Sequence, residues 1–334
     1  MKPSDLPHAR RALVTGLTGF TGRYVAQSLE AAGYEVWGTV APGTAARRRA
    51  QIGHRRVVEA DLLDLASLRS AVEQSRPDAV IHLAACAHVA NNDPRDLYLV
   101  NVVGTRNLLT ALVDAGAAPR CVLLASSANV YGNADVESLD ESVPPQPAND
   151  YAVSKLAMEH AVRQWYDKLP IVIARPFNYT GVGQLDTYLL PKLVTHYANR
   201  EPRISLGNLD VSRDFSDVRD VAAAYVRLIE AAPAGQTFNV CSEHAYSLKE
   251  VIAMLSSMVG YVIDVTIDPR FVRGNEVKKL VGSREKLRTC LGELPVTALD
   301  ETLRWMVDAL RPRPSPSDMA SQAGGGFQQR MAAG

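Results

Sequence analysis

Seven residues near the start of the chain, Gly16 to Gly22, constrain the fold more than any other stretch. They read GLTGFTG and lie between a short apolar run, Arg11–Thr15, and an amphipathic stretch that ends at Ala32. A strand, a glycine turn and a helix in this order are what a phosphate-binding loop requires. The first glycine permits the tight turn, Gly19 lets the backbone approach a pyrophosphate, and the last allows the helix to pack closely on the strand. The free N–H groups at the helix start can then hold the anion. The alternative is an ordinary tight turn between a strand and a helix.

Strands and helices alternate after this loop. Five further β-prone runs are predicted as strands: Tyr34–Val40, Arg56–Ala60, Asp78–Leu83, Arg120–Ala125 and Pro170–Arg175. Amphipathic stretches separate them, and Leu65–Gln74 and Pro94–Ala115 are predicted as helices. This alternation predicts an α/β fold, a Rossmann-type doubly wound parallel sheet, with ligands bound at the carboxyl ends of the strands. His82 lies inside a predicted strand and is expected to be a packed core residue.

The pattern loosens after residue 177, which predicts a smaller C-terminal substrate lobe interleaved with the first unit. A glycine loop, Tyr179–Gln184, and short irregular segments at Ile204–Asp210 and Arg213–Phe215 are expected. Further helices are predicted at Thr187–Asn199, Val218–Ala231, Leu248–Val259 and Leu299–Leu310, with strands at Thr237–Val240 and Val262–Ile267. We therefore predict a cofactor domain of residues 10–177 plus about 209–242, and a substrate lobe of about 178–208 plus 243–312. Residues 313–334 are rich in Pro, Ser, Gly and Gln and are predicted to be a disordered tail.

Charge and cysteine content argue against several classes of function. The 36 Lys and Arg residues balance the 36 Asp and Glu residues, so no electrostatic case exists for nucleic acid or an anionic membrane surface. The 4 cysteines are far apart and form no C-x-x-C motif, which predicts neither a metal site nor a disulfide framework. A polar N-terminal segment and the lack of a long apolar run predict a cytoplasmic protein without a signal peptide or membrane span.

The stretch after Val40 bears on the choice of cofactor. A carboxylate just beyond the second strand would bind the ribose 2′-hydroxyl of NAD. The sequence there is APGTAARRR, in which small residues precede Arg47–Arg49. These residues favour the 2′-phosphate of NADP(H), with NAD(H) as the alternative; the arginines also suit a solvated helix start.

A second motif, Tyr151-Ala-Val-Ser-Lys155, is suited to proton transfer. It follows a loop rich in Pro and Asp and opens a helical stretch, so the Tyr and Lys side chains share one face. A phenol with a pKa near ~10 is a poor acid or base at neutral pH, and a cation beside it favours the phenolate. Ser126 and Ser127 follow the fifth predicted strand, so their hydroxyls are expected to meet Tyr151.

These motifs together resemble the extended short-chain dehydrogenase/reductase family, over about residues 10–312. Several further stretches resemble its GDP-sugar branch: Tyr151–Ala157, Ala174–Asn178 with Gly183-Gln184, Val211–Val218 and Phe238–Ser242. The resemblance implies an NAD(P)H-dependent oxidoreductase that reduces the 4-keto group of a GDP-4-keto-6-deoxy-hexose, giving a product such as GDP-D-rhamnose. It also implies a homodimer formed through the helices that carry Asn101 and Tyr151.

The resemblance assigns roles to individual residues. Ser127, Tyr151 and Lys155 would form the catalytic triad, and Lys155 would also hold the nicotinamide ribose. The cofactor would be bound by Gly16, Thr18, Gly19, Phe20, Thr21, Gly22, Asp61, Leu62, Leu83, Ala84, Ala85, Tyr151, Lys155 and Pro176. The sugar nucleotide would be bound by His88, Ser127, Asn129, Asn178, Lys192, Arg213 and Glu276. An arginine fork suits two phosphates, although Arg213 also suits a surface ion pair with Asp214.

Asn129 separates two reactions of this branch. The dehydratases that the chain resembles carry a glutamate two residues after the triad hydroxyl, and an amide cannot cycle a proton at neutral pH. This departure favours simple ketone reduction. Four alternatives stay open: a GDP-mannose 4,6-dehydratase, a nucleotide-sugar epimerase with tightly bound NAD(P), a non-catalytic sensor of NADP(H), and an interaction module, which would leave the glycine loop unexplained.

Overall fold

The computed structural model describes residues 10–44, 52–87, 93–271 and 279–311. The strands in chain order are β1 (Arg10–Thr15), β2 (Tyr34–Val40), β3 (Arg56–Glu59), β4 (Ala79–His82), β5 (Cys121–Ala125), β6 (Ile171–Pro176), β7 (Asn178–Thr180), β8 (Arg203–Leu206), β9 (Ser212–Asp217), β10 (Thr237–Val240), β11 (Ala245–Ser247), β12 (Asp264–Ile267) and β13 (Lys279–Leu280). Seven of them form one parallel sheet in the order β10-β6-β5-β4-β1-β2-β3. The predicted Rossmann-type sheet is therefore confirmed.

Ten α-helices occur in the described residues. They are α1 (Phe20–Ala31), α2 (Leu65–Ser75), α3 (Pro94–Tyr98), α4 (Thr105–Asp114), α5 (Asp150–Ala161), α6 (Leu189–Ala198), α7 (Val218–Ala231), α8 (Leu248–Val259), α9 (Glu285–Leu291) and α10 (Leu299–Leu310). A π-helical segment, Leu99–Gly104, joins α3 to α4, so the single helix predicted for Pro94–Ala115 is interrupted. None of the helices in these ranges combines the length and apolarity needed to cross a bilayer.

Helices pack on both faces of the central sheet because successive strand residues point to opposite sides. Ala12 and Val14 of β1 lie in a core shared with α1 and α7. Leu13, between them, lies in the opposite core, which includes residues of α2, α4 and α5. Neighbouring positions of one strand thus contribute to two separate cores, as a doubly wound sheet requires.

The region after residue 177 contains more strand than we predicted. β9 pairs with β7, β11 and β13, and β8 pairs with β12, so the segments predicted to be irregular at Ile204–Asp210 and Arg213–Phe215 each contain a strand. The sequence of β9, SRDFSD, hides its strand character because two of its buried side chains, Asp214 and Asp217, are hydrogen-bonded carboxylates rather than apolar groups. A third core joins α6, α8 and α10. The two-lobe division stays a prediction, and the predicted disordered tail lies outside the described residues.

Candidate active site

The glycine loop turns tightly between β1 and α1. Gly16 has φ of +73°, and a Cβ added there would lie 2.9 Å from the backbone nitrogen of Ala84. A Cβ on Gly22 would lie 2.4 Å from the carbonyl oxygen of Gly16. Only glycine fits either position without a backbone shift. The loop therefore lies directly against the end of β4, where Leu83 to Ala85 are predicted to contact the cofactor.

Thr15 and His82 hold this strand end in place. The Thr15 hydroxyl accepts hydrogen bonds from the backbone N–H groups of Leu83 (3.2 Å) and Ala84 (3.1 Å). His82 lies 2.7 Å from that hydroxyl through Nδ1, and 2.9 Å from the Thr105 hydroxyl through Nε2. Burial, helped by the charge of Lys155, lowers the pKa of His82 to about 3, so the ring is neutral. The prediction that His82 is a core residue is confirmed.

The three predicted catalytic residues lie together. Asn149 caps α5, accepting a hydrogen bond from the Ala152 N–H at 2.9 Å, and thereby fixes the first turn that carries Tyr151. The Ser127 hydroxyl lies close enough to the Tyr151 phenol to lower its pKa. One turn later, the Lys155 ammonium is buried and donates to the carbonyl oxygen of Ala125 at 2.8 Å. Their catalytic roles stay predictions, but their geometry suits proton delivery beside the end of β5.

Burial dominates the electrostatics of this group. It raises the pKa of Tyr151 above its usual 10, while the hydrogen bond from Ser127 acts in the opposite direction. It lowers the pKa of Lys155 to about 8, opposed by the charge of Glu159. The sequence predicted a phenol pKa moved toward neutrality by the neighbouring cation, and the structure shows the opposite direction. A phenol with a raised pKa is protonated at neutral pH, as a proton donor must be.

Asn101 connects three parts of the site, a role that the sequence did not predict. It lies in the π-helical segment, is buried, and its amide donates to the Ser154 hydroxyl of α5 at 2.9 Å. The same amide donates to the carbonyl oxygen of Cys86 and accepts from its N–H, at 3.0 and 2.9 Å. A π segment at a functional site is a known signal, but it cannot be recognised from hydrophobic periodicity.

The start of α1 is held by β7 and by the residues that follow it. Phe20 stacks on Tyr179 with ring centroids 6.1 Å apart, and the Thr21 hydroxyl lies 2.8 Å from the Tyr179 phenol oxygen. Arg23 and Tyr24 donate to the carbonyl oxygens of Gly183 and Val182. Two residues predicted to bind the cofactor therefore also contact the region predicted to bind the sugar nucleotide.

Other predicted cofactor contacts lie at neighbouring strand ends. Asp61 follows β3, and its carboxylate accepts from the Leu63 N–H at 2.9 Å. Leu62 packs against Gly104: a Cβ added to Gly104 would lie 2.9 Å from the Cβ of Leu62. Pro176 is the last residue of β6. These positions lie, like the glycine loop, at the carboxyl ends of the strands of the central sheet.

The predicted sugar-nucleotide residues are only partly brought together. Asn129 donates its backbone N–H to the Ser127 hydroxyl at 3.2 Å, which places it beside the triad. Asn178 and Arg213 lie on the paired strands β7 and β9, although they do not face each other in the register. Lys192 on α6 donates to the carbonyl oxygen of Ser205 at 2.8 Å. His88, Glu276 and Arg47–Arg49 lie outside the described residues.

Asp214 is a buried anchor rather than a surface partner of Arg213. It is 0% exposed, and its carboxylate accepts from the Ser242 N–H (2.8 Å), the Ser242 hydroxyl (2.7 Å) and the Glu243 N–H (3.0 Å). Adjacent residues of a strand point to opposite faces, so Asp214 points inward while Arg213 does not. The suggested surface ion pair is therefore wrong.

Comparison with known proteins matches residues 12–241 to the model of the NAD dependent epimerase/dehydratase family. Two curated relatives are each 35% identical to this chain. GDP-6-deoxy-D-talose 4-dehydrogenase of Aggregatibacter actinomycetemcomitans aligns over 84% of this chain and 91% of its own length. GDP-6-deoxy-D-mannose reductase of Pseudomonas aeruginosa aligns over 88% and 95%.

Solved structures share the fold over nearly the whole chain. A protein of Burkholderia cenocepacia J2315, named only provisionally as an epimerase, is 70% identical with a TM-score of 0.86, covering 90% of this chain and 98% of that one. RMD from Pseudomonas aeruginosa, complexed with NADPH, is 34% identical with a TM-score of 0.78 and the same coverage.

Proposed function

The chain belongs to the NAD dependent epimerase/dehydratase family, and on that premise we propose that it reduces GDP-4-keto-6-deoxy-D-mannose to GDP-D-rhamnose with NADPH. The coarser statement is that the chain is an NAD(P)-dependent oxidoreductase of the extended short-chain dehydrogenase/reductase family that acts on GDP-sugars. One observation carries the finer proposal. The residue whose backbone N–H donates to the Ser127 hydroxyl is Asn129, so this position carries an amide where a dehydratase would need a second acid or base.

The triad suffices for a ketone reduction. The nicotinamide would supply a hydride to C4 of the sugar. The hydroxyls of Ser127 and Tyr151 would hold the carbonyl oxygen, and Tyr151 would give it a proton, so the ketone becomes an alcohol and the phenol a phenolate. Lys155 would stabilise that phenolate until solvent returns the proton. No residue needs to remove a proton from carbon.

Elimination of water needs a further group. A dehydratase must take a proton from C5 and give one to the hydroxyl that leaves C6. The Asn129 side chain can hydrogen-bond the sugar, but it has no proton to exchange at neutral pH. We therefore expect this protein to consume a 4-keto substrate without being able to make one.

The reaction is tested with two separate incubations followed by mass spectrometry. We expect no loss of water from GDP-mannose with NADP, and a gain of two hydrogens by the 4-keto-6-deoxy intermediate with NADPH. Loss of water in the first incubation, or no reduction in the second, contradicts the proposal. An epimerase would interconvert sugars without net NADPH consumption. The variant Asn129→Glu tests for weak dehydration, where only a positive result is informative.

The product at C4 has a second candidate. The relatives whose names specify a talose and a mannose configuration are equally similar to this chain, at 35% identity. GDP-6-deoxy-D-talose is therefore the alternative to GDP-D-rhamnose. Proton–proton coupling constants of the product distinguish an axial from an equatorial hydroxyl at C4.

NADPH should bind more tightly than NADH. The missing acid after Val40 and the arginines that follow support a 2′-phosphate contact, worth on the order of 1–3 kcal/mol. One observation favours NADH instead: Glu59 accepts from the Gly43 N–H at 3.3 Å, which brings a carboxylate to the loop after β2. Titration of both cofactors, monitored by nicotinamide fluorescence, decides between them. Adenosine 2′,5′-bisphosphate should compete better than adenosine 5′-monophosphate, and equal or reversed affinities contradict the prediction.

A homodimer is also proposed. Val103, Val113 and Val153 expose 40%, 37% and 37% of their surface on the helical elements that the resemblance assigns to the dimer contact. Burial of such side chains against a second copy would be favourable. A monomeric mass in solution would contradict this. The cytoplasmic location stays a prediction from the sequence.

A further inference from the structure

We propose that Glu159 is a positioning residue of the active site: its buried carboxylate holds the strand end that carries Ser127 and balances the charge of Lys155. This inference deepens the proposed function, on which it rests for the role of Lys155. Neither the motifs of the sequence nor the comparisons assign a role to Glu159.

Glu159 continues the spacing of the triad. Tyr151, Lys155 and Glu159 follow one another at intervals of four residues on α5, so they lie on one face of the helix. Lys155 and Glu159 are each only 5% exposed. A carboxylate is rarely buried to this extent unless it is paired, so Glu159 should have a charged or hydrogen-bonding partner.

Residues at the end of β5 are hydrogen-bonded to successive turns of α5. Lys155 binds the carbonyl oxygen of Ala125 at 2.8 Å. The Ser126 hydroxyl donates to the Glu159 carboxylate at 2.5 Å. Ser127 comes next, beside Tyr151. The two residues that precede Ser127 are therefore fixed to the helix that carries Tyr151, and one of the two contacts is made by Glu159.

Arg175 fixes the orientation of that carboxylate. Its guanidinium donates to both carboxylate oxygens, from Nε at 2.9 Å and from Nη2 at 2.6 Å. Its third nitrogen donates to the Tyr131 phenol at 2.9 Å, and Tyr131 in turn donates to Asn239 at 2.8 Å. The two-point contact restricts rotation of the carboxylate, which leaves Oε1 directed at Ser126.

Charge balance supplies the second part of the role. The titratable groups that face Lys155 are His82 on β4 and, on its own helix, Tyr151 and Glu159; Arg175 on β6 is joined to Glu159. His82 is neutral, so the negative charge that acts on Lys155 comes from Glu159, which is at the same time paired with the Arg175 guanidinium. Burial lowers the pKa of Lys155 to about 8 and Glu159 acts against it. Without that charge, Lys155 should lose its proton at a lower pH.

The decisive variant is Glu159→Gln, studied by the pH dependence of NADPH affinity and of kcat/KM. Because the resemblance implies that Lys155 holds the nicotinamide ribose, deprotonation should weaken NADPH binding on the alkaline side. We expect the midpoint of that loss, near pH 8 in the unchanged protein, to move down by about one pH unit or more. The NADPH titration needs no sugar substrate. Failure to reduce any 4-keto sugar would therefore contradict the proposed function while leaving this test intact.

Two further variants separate positioning from general stabilisation. Tyr131→Phe removes two buried hydrogen bonds from the same network and leaves the charge of Glu159, so it should lower the melting temperature without moving the alkaline midpoint. Glu159→Gln with Arg175→Met removes both charges of the buried Glu159–Arg175 ion pair, so no guanidinium is left without its partner; it should fold and show the lowered midpoint. An unchanged midpoint in either folded Glu159 variant, or an equal shift in Tyr131→Phe, overturns the proposal. Failure of the double variant to fold would assign the pair a purely structural role and overturn it too.

Discussion

Replacement of Tyr151 by phenylalanine should leave cofactor binding intact and lower turnover by roughly 10²–10⁴-fold, the usual scale for loss of a general acid. The ring remains, so the packing of the first turn of α5 is kept. The lost group is the hydroxyl beside Ser127, and burial raises its pKa, which keeps it protonated at neutral pH. The carbonyl oxygen would keep the Ser127 hydroxyl as a hydrogen-bond donor but would lose the group that gives it a proton.

The measurement compares kcat with NADPH affinity for Tyr151→Phe and for a control, Tyr166→Phe. Tyr166 follows the same helix and is 36% exposed, so its hydroxyl should be dispensable. A Tyr151→Phe enzyme with near-normal turnover would assign the proton to another group, and His88 would be the first to examine.

The variant Asp214→Asn should destabilise the fold by about 3 kcal/mol, because buried donors lose their acceptor. One carboxylate oxygen accepts from both the N–H and the hydroxyl of Ser242, and the other from the Glu243 N–H. The amide of the variant keeps one acceptor oxygen. Its NH₂ group replaces the other oxygen and points at a hydrogen-bond donor. Since β9 also carries Arg213, the affinity for the sugar nucleotide should fall more than the affinity for the cofactor.

Urea unfolding checks this prediction, with Asp210→Asn as the matched control. Asp210 precedes β9 and pairs with Lys249 at 3.1 Å, with side chains 82% and 69% exposed. Loss of such an exposed pair should change stability by less than about 0.5 kcal/mol. Equal effects of the two substitutions would show that the buried contacts of Asp214 contribute little.

Regular periodicity allowed much of the fold to be predicted. The bounds predicted for Tyr34–Val40, Val218–Ala231, Leu248–Val259 and Leu299–Leu310 agree with the structure. Each of these elements buries an apolar stripe or a nearly continuous apolar run, which the order of residues displays directly. The π-helical segment, β8 and β9 were missed because their conformation depends on partners that are distant in the chain.

The same distinction applies to the candidate site. The spacing of Tyr151 and Lys155 is local, so a helix rule suffices to bring them together. Asp214 is hydrogen-bonded to Ser242 and Glu243, and Asn101 to Cys86 and Ser154. These partners are distant in the chain, so no rule based on local spacing predicts the contacts. Glu159 had a usable local signal, since it lies one turn beyond Lys155, but a surface position would have given the same spacing.

The place of β10 in the sheet has a consequence during biosynthesis. Within the described part of the chain, β10 is an edge strand whose one partner is β6, yet β7, β8 and β9 are made between the two. A nascent chain that has reached only residue 236 therefore presents the open backbone edge of β6, which is a template for pairing with another chain. We expect ribosome-bound or truncated chains that end before Thr237 to associate with one another or to recruit chaperones. Chains that extend a few residues beyond Val240 can cover the open edge of β6 with their own β10.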